Sequence, residues 1–288
     1  MLITGANGVI GSDLVRFFSK KSKVYAVYRT PNLITKNLKN NNIIWIKQDL
    51  SKRFISKIKP KIIIHCAVTH SLSKKNDYKD FINSNLLGLK NTLEFAKKNK
   101  VKKFFHLSSI NIYGDIKTKI LKEENPFINP DLLGSSKVMM EKLLENQKFY
   151  YLNIRLPGVV GYQINDVRRP WLCKIINQLK INKKIEIFHS SKPFNNIMDS
   201  YEIYKFINFL RKKSFKSGSI NFAATTPIRL KSIILYIKDK LNSNSKILFN
   251  KKKSKYFTIS SKKVLDDYNY KASSTKKIIY RYVESFTN

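Results

Sequence analysis

Along the first 160 residues, short apolar runs alternate with longer stretches in which apolar positions recur every three or four residues. The runs at 2–4, 24–28, 43–46, 61–67, 103–108 and 151–156 predict six strands. Between them, Leu14, Val15, Phe17 and Phe18 give one helical face, and Phe81, Leu86, Leu89, Leu93 and Phe95 another over about 77–99. A third helix is predicted from near Ser135, carrying Val138, Met139 and Leu143. Strand–helix alternation of this kind predicts an α/β fold with a doubly wound parallel sheet. After Gly161 the rhythm loosens into helices at 171–179 and 199–211 and strands at 184–188, 219–223 and 247–249. The division expected is a first domain over 1–160 and a smaller C-terminal lobe over 161–288. Part of that lobe, near 199–225, is expected to return to the first domain.

The first strand runs into Thr4-Gly-Ala-Asn-Gly-Val-Ile-Gly11, with glycines at every third position. In a strand–loop–helix context, Gly5 allows the tight turn, Gly8 lets backbone approach a pyrophosphate, and Gly11 lets the helix pack on the strand. The helix start offers unpaired N–H groups and the positive end of its dipole to phosphate. This is the dinucleotide-binding pattern of a Rossmann sheet. Arg29, 21 positions after Gly8 and directly after the second strand, stands where such folds read the ribose. An acid there binds a free 2′-hydroxyl and an arginine a 2′-phosphate, so NADP is favoured over NAD.

Composition narrows the partners. The formal net charge of +37 admits nucleic acid, an anionic membrane surface or an acidic substrate. Only nine of the 56 basic residues are arginine, however, and the lysines are dispersed. A dedicated nucleic-acid surface would cluster its cations and use arginine forks, so nucleic acid is disfavoured. No apolar run approaches the roughly 20 residues of a membrane span. The chain opens inside its first strand, so no targeting segment is expected. Two cysteines without metal spacing, Cys66 and Cys173, point to a reduced, cytoplasmic setting and no metal.

Taken together, the motifs resemble those of the extended short-chain dehydrogenase/reductases, in particular the NAD(P)-dependent nucleotide-sugar epimerases and dehydratases. The cofactor loop would be Gly5, Asn7, Gly8, Val9, Ile10 and Gly11; Asp49-Leu50 matches the pair that meets adenine; Cys66, Ala67 and Val68 match the fourth-strand end. Asn85-Leu-Leu-Gly88 matches the family's Asn-x-x-Gly, and Arg155-Leu-Pro157-Gly-Val-Val-Gly161 its sixth-strand exit. Ser108-Ser-Ile-Asn-Ile-Tyr-Gly114 matches Ser-Ser-x-x-Val-Tyr-Gly, placing Ser109 at the catalytic serine. Lys192, ahead of Pro193-Phe-Asn-Asn-Ile-Met-Asp199, stands where an arginine meets the sugar-nucleotide diphosphate in the family. The resemblance therefore implies NAD or NADP, with Asn85, Lys137 and Pro157 among the cofactor contacts, a nucleotide-sugar substrate, and room for a homodimer.

One residue departs from the pattern. Where the family carries Tyr-x-x-x-Lys, this chain reads Leu133-Gly-Ser-Ser-Lys137, and no tyrosine lies between Tyr113 and Tyr150. A phenol beside a lysine ammonium has its pKa lowered and can exchange a proton with a sugar hydroxyl. Leucine cannot, and losing a general acid/base costs about 10² to 10⁴ in rate. Lys137 and Ser109 remain, and His70 and Tyr113 are candidates for the proton role. His65 and His106, on buried strands, read as core residues. Asp199 reads as a helix N-cap. The alternative to an enzyme is an NAD(P)-binding pseudoenzyme with a regulatory or complex-forming role.

Overall fold

A computed structural model describes residues 1–69, 77–163, 171–188, 190–250 and 256–287. Seven parallel strands form the central sheet: β1 (Leu2–Thr4), β2 (Val24–Tyr28), β3 (Ile43–Lys47), β4 (Ile62–His65), β5 (Lys103–Ser109), β6 (Tyr150–Leu156) and β7 (Gly218–Asn221). Their order is β7-β6-β5-β4-β1-β2-β3. The order reverses between β1 and β4, which opens a crevice at the carboxyl ends of these strands. Both faces are covered, so successive residues serve different layers: Leu2, Ile63 and Phe104 pack into one core, Ile3, Ile64 and Phe105 into the other.

On one face lie α1 (Val9–Ser19) and, across from it, the helix Ser200–Leu210; on the other lie α2 (Gly88–Lys98) and α3 (Leu132–Glu145). The stretch expected as one helix from 77 to 99 is an α-turn at Tyr78–Phe81, a π-helical turn at Ile82–Leu87, and then α2. That wider turn contains buried Asn85, which accepts from Thr69 N (2.7 Å) and donates to Ser136 Oγ (2.9 Å). Helix α3 begins at Leu132, three residues before the expected start. Apolar spacing alone missed the cap: the Asp131 carboxylate accepts from Gly134 N at 2.7 Å and draws Leu133 into the first turn.

Beyond β6 the chain makes short two-stranded pairings, Gly158–Val160 with Ile197–Asp199 and Ile185–Ile187 with Ile247–Phe249 among them. Asp199 caps Ser200–Leu210 by accepting from Glu202 N (2.7 Å), and Arg281 pairs with it. Buried Asp13 ties α1 to this region, accepting from Tyr162 N, Gln163 N and Ser200 Oγ. Among the described residues no helix is long and apolar enough to cross a membrane.

Candidate functional site

A cavity of about 620 Å³ occupies the crevice at the carboxyl ends of the strands. At one end is the loop from Gly5 to Gly11. Helix α1 has no side-chain cap and no acid in its first turn, so its leading N–H groups are free for an anion. Close approach demands glycine at position 11: a Cβ there would press into Gly5 O. Asn7 braces the loop, donating to Thr30 O (2.7 Å) while its own carbonyl accepts from Asn32 Nδ2 (2.9 Å).

Further along, Arg29, Asp49 and Leu50 line the cavity. Arg29 is exposed, and its Nη1 donates to Ser84 Oγ at 3.1 Å. Partial burial of Asp49 works to raise its pKa, but hydrogen bonds from the Ser51 hydroxyl and N–H outweigh it, with Arg29 and Lys52 helping, and hold the carboxyl below its ordinary value. Cys66, Ala67 and Val68 form the wall beside β4, where Thr4 Oγ1 accepts from Ala67 N. Burial pushes the Cys66 thiol up to about 12 and keeps it protonated.

At the other end the cavity is lined by Ser109, Asn111, Leu133, Lys137 and Pro157. Ser109 caps a 3₁₀ turn and accepts from Asn111 N at 3.2 Å. Gly134 lets α3 close on that turn; a Cβ would press into Asn111 O. Leu133 is 2% exposed and Lys137 4%. Lys137 Nζ donates to Leu107 O (2.6 Å) and meets His106 Nε2 (3.2 Å). Burial lowers the pKa of this amine to about 8, against the opposing pull of Cys66 and Glu141.

Not every expected residue lies on the cavity. Tyr113 is fully buried: Arg155 Nη1 donates to its hydroxyl, which donates to Asn221 Oδ1, each at 2.8 Å. Burial pushes this phenol up to about 12. Asn85 joins the β4 exit to α3 as described above. Lys192 is exposed, with its Nζ 5.0 Å from the Tyr256 ring centroid. His70 lies outside the described residues.

From the sequence alone no role attached to Asn111, Thr69 or Ser84, nor to Asn153, Ser219 and Glu141 in the line of polar groups behind Lys137, where His106 read only as a core residue. Only Asn111, inside the Ser-Ser-x-x motif, carried a usable positional signal. Behind Lys137, His106 Nδ1 meets Asn153 Oδ1 (2.9 Å), Asn153 Nδ2 donates to Ser219 Oγ (3.0 Å), and Ser219 Oγ donates to Glu141 (3.0 Å). Glu141 is held by Arg155 at 2.8 Å and accepts from Ser108 Oγ.

The residues present suit a dinucleotide: an uncapped helix start behind a glycine loop, an arginine and an acid beyond β2 and β3, and a buried cation at the far end. Comparison with known proteins agrees. The profile of the NAD-dependent epimerase/dehydratase family matches residues 1–221. A dTDP-D-glucose 4,6-dehydratase of Dictyostelium discoideum is 28% identical over 244 residues, which cover 74% of this chain. The chain spans only 55% of that relative's length. The uncharacterized protein MJ1055 of Methanocaldococcus jannaschii is 25% identical over 273 residues, 86% of this chain and 83% of its own. Among solved structures, Bordetella bronchiseptica WbmG in complex with NAD and UDP superposes with a TM-score of 0.83 at 16% identity, covering 99% of this chain and 93% of that one. UDP-N-acetylglucosamine 4-epimerase from Methanobrevibacter ruminantium M1, in complex with UDP-N-acetylmuramic acid, gives 0.82 at 22%, covering 99% and 97%. The structural likenesses carry the fold and the profile carries the family: the chain belongs to the NAD-dependent epimerase/dehydratase family.

Proposed function

We propose that this protein binds NAD(P) and epimerises, dehydrates or reduces a nucleotide sugar by hydride transfer. The observation that carries the reading is the single continuous cavity linking the uncapped start of α1 to Ser109, Leu133 and Lys137. The loop from Gly5 to Gly11 would hold the pyrophosphate, with Asp49 and Leu50 at the adenine and Lys137 at the nicotinamide end. Exposed Arg29 supports NADP over NAD, since a guanidinium fork suits a phosphate. A bound nicotinamide supplies a hydride acceptor and donor. Ser109 would hold the reacting oxygen of the sugar, and Lys192 would give charge to the diphosphate. The exposed apolar side chains Leu132, Met139 and Leu143 on α3 support a homodimer.

Leu133 also favours a second reading, a binding protein without turnover, because an apolar side chain occupies the family's phenol position. Calorimetry with NAD and NADP, followed by product analysis on a panel of nucleotide sugars, separates the two. Binding with turnover supports the enzyme, binding without turnover the pseudoenzyme, and no binding removes both.

A further inference from the structure

Lys137 has a neighbourhood that fixes which of its atoms can exchange. Glu141, held by Arg155, is an acceptor, so the Ser219 hydroxyl must donate to it and accept from Asn153 Nδ2. That leaves Asn153 Oδ1 as the acceptor for His106 Nδ1–H. The imidazole is then neutral, in agreement with a pKa that burial drives well below its ordinary value, and its Nε2 lone pair faces Lys137. Leu107 O is the second acceptor.

An ammonium has three donors. Two are taken by Leu107 O and His106 Nε2, and the third is left for the cavity that Lys137 lines. A neutral amine keeps two N–H groups for the same two acceptors, and its lone pair then takes the third position. Both protonation states therefore fit one geometry, and only the group offered to the cavity changes, from donor to acceptor. This is what an acid/base catalyst requires. The titratable groups around it are His106 on β5, His65 on β4, the Cys66 thiol and Glu141 one turn along α3. The first three are neutral, and Glu141 is matched by Arg155.

We infer that Lys137 is itself the acid/base group of this site, in place of the missing phenol, with His106 as the positioning residue that orients its amine. The inference rests on the hydride-transfer reading above. As a sugar carbinol carbon loses hydride to the oxidised dinucleotide, its hydroxyl proton passes to the Lys137 lone pair and a ketone forms. Reduction returns the hydride to carbon and the ammonium proton to oxygen.

The test is the reactivity of Lys137 toward cyanate in the dinucleotide-free protein, read by mass spectrometry of its peptide across a pH series. Isocyanic acid, the protonated form of cyanate, attacks the neutral amine, so at fixed total cyanate the rate is flat below the amine's pKa and falls above it. The expected half-point of that fall is about pH 8, against about 10.4 for solvated lysines. His106→Leu should move the half-point lower, because the ammonium loses an acceptor, and His106→Gln, which keeps one, should restore it. Lys137→Arg should bind dinucleotide yet lose about 10² or more in turnover. A half-point shared with surface lysines, no reaction at any pH, or an arginine variant with wild-type turnover overturns the inference. Equal half-points in the two His106 variants overturn the positioning role. If no nucleotide sugar turns over while Lys137 titrates as expected, the hydride-transfer reading fails and the catalytic role with it, and only the perturbed amine and its His106 contact stand.

Discussion

The two ends of the cavity are built by different means. At the α1 end the groups offered to the cavity are backbone N–H groups, placed by glycines that permit close approach, and the braces around them are exposed. At the α3 end the groups offered are side chains, held by hydrogen bonds buried between β5, β6 and α3. At the first end Gly5 and Gly11 leave no room for a Cβ. At the second end several side chains meet on the cavity, and Leu133 is an apolar one among them, while the hydrogen-bonded line behind Lys137 is complete. A backbone-built end depends on glycines at fixed positions, whereas a side-chain-built end offers neighbours that could take over a role, as proposed for Lys137.

The sharpest way to break this contrast is at Glu141, where the buried line ends. Glu141→Leu leaves Arg155 buried without its partner, and an uncompensated buried charge costs about 3–5 kcal/mol. Denaturant unfolding should show that loss, with the chemistry end disordered first. Next in size is Lys137→Met. The native ammonium is desolvated below about pH 8, so removing it should stabilise the protein there, less what the orphaned acceptors cost. At about 1.4 kcal/mol per pKa unit the gain is at most about 3.5 kcal/mol. The sign follows from linkage. Between about pH 8 and 10.5 the unfolded chain holds a proton that the native amine has released, so wild-type stability rises through that window. The advantage of the methionine variant should therefore fade there, which pH-dependent thermal melts would record.

A matched pair of glycines tests whether the ends are separable. Gly11→Ala and Gly134→Ala each force a Cβ against a backbone carbonyl, of Gly5 and Asn111 respectively. Each should destabilise by about 1–3 kcal/mol. Calorimetry should find dinucleotide binding lost in the first and kept in the second, where turnover falls instead. Loss of binding in both would mean that the two ends act as one unit. The smallest effect is expected at exposed Arg29: Arg29→Ala should reduce the preference for NADP over NAD by about tenfold, the worth of one charge-assisted contact.

Legibility in the sequence follows the same division. The alternation of apolar runs located the strands β1 to β6, because a sheet covered on both faces needs them continuously apolar. The glycine loop, Asp49 and the Ser109 motif were readable because each is local in the chain. The Asp131 cap shifted the start of α3 by three residues, and the π turn around Asn85 has no signature in apolar spacing. His106 read only as a core histidine, and it is buried; its contact with Lys137 joins residues 31 apart. That contact needs the two-residue period of β5, which puts His106 and Ser108 on one face, set against the four-residue spacing of Lys137 and Glu141 on α3. Neither period alone predicts the pairing.

Whether this site performs hydride chemistry without a phenol at position 133 is decided by comparing the wild type with Leu133→Tyr. Leu133 lines the cavity one turn before Lys137, so a phenol there would stand beside the amine. Wild type and variant, each with dinucleotide binding confirmed, are assayed on the same nucleotide-sugar panel by reduced-cofactor absorbance and product analysis. Turnover is expected in the wild type with little further gain in Leu133→Tyr, because Lys137 already supplies the one acid/base group that is worth about 10² to 10⁴ in rate. Intact binding with no turnover from either protein would contradict this expectation.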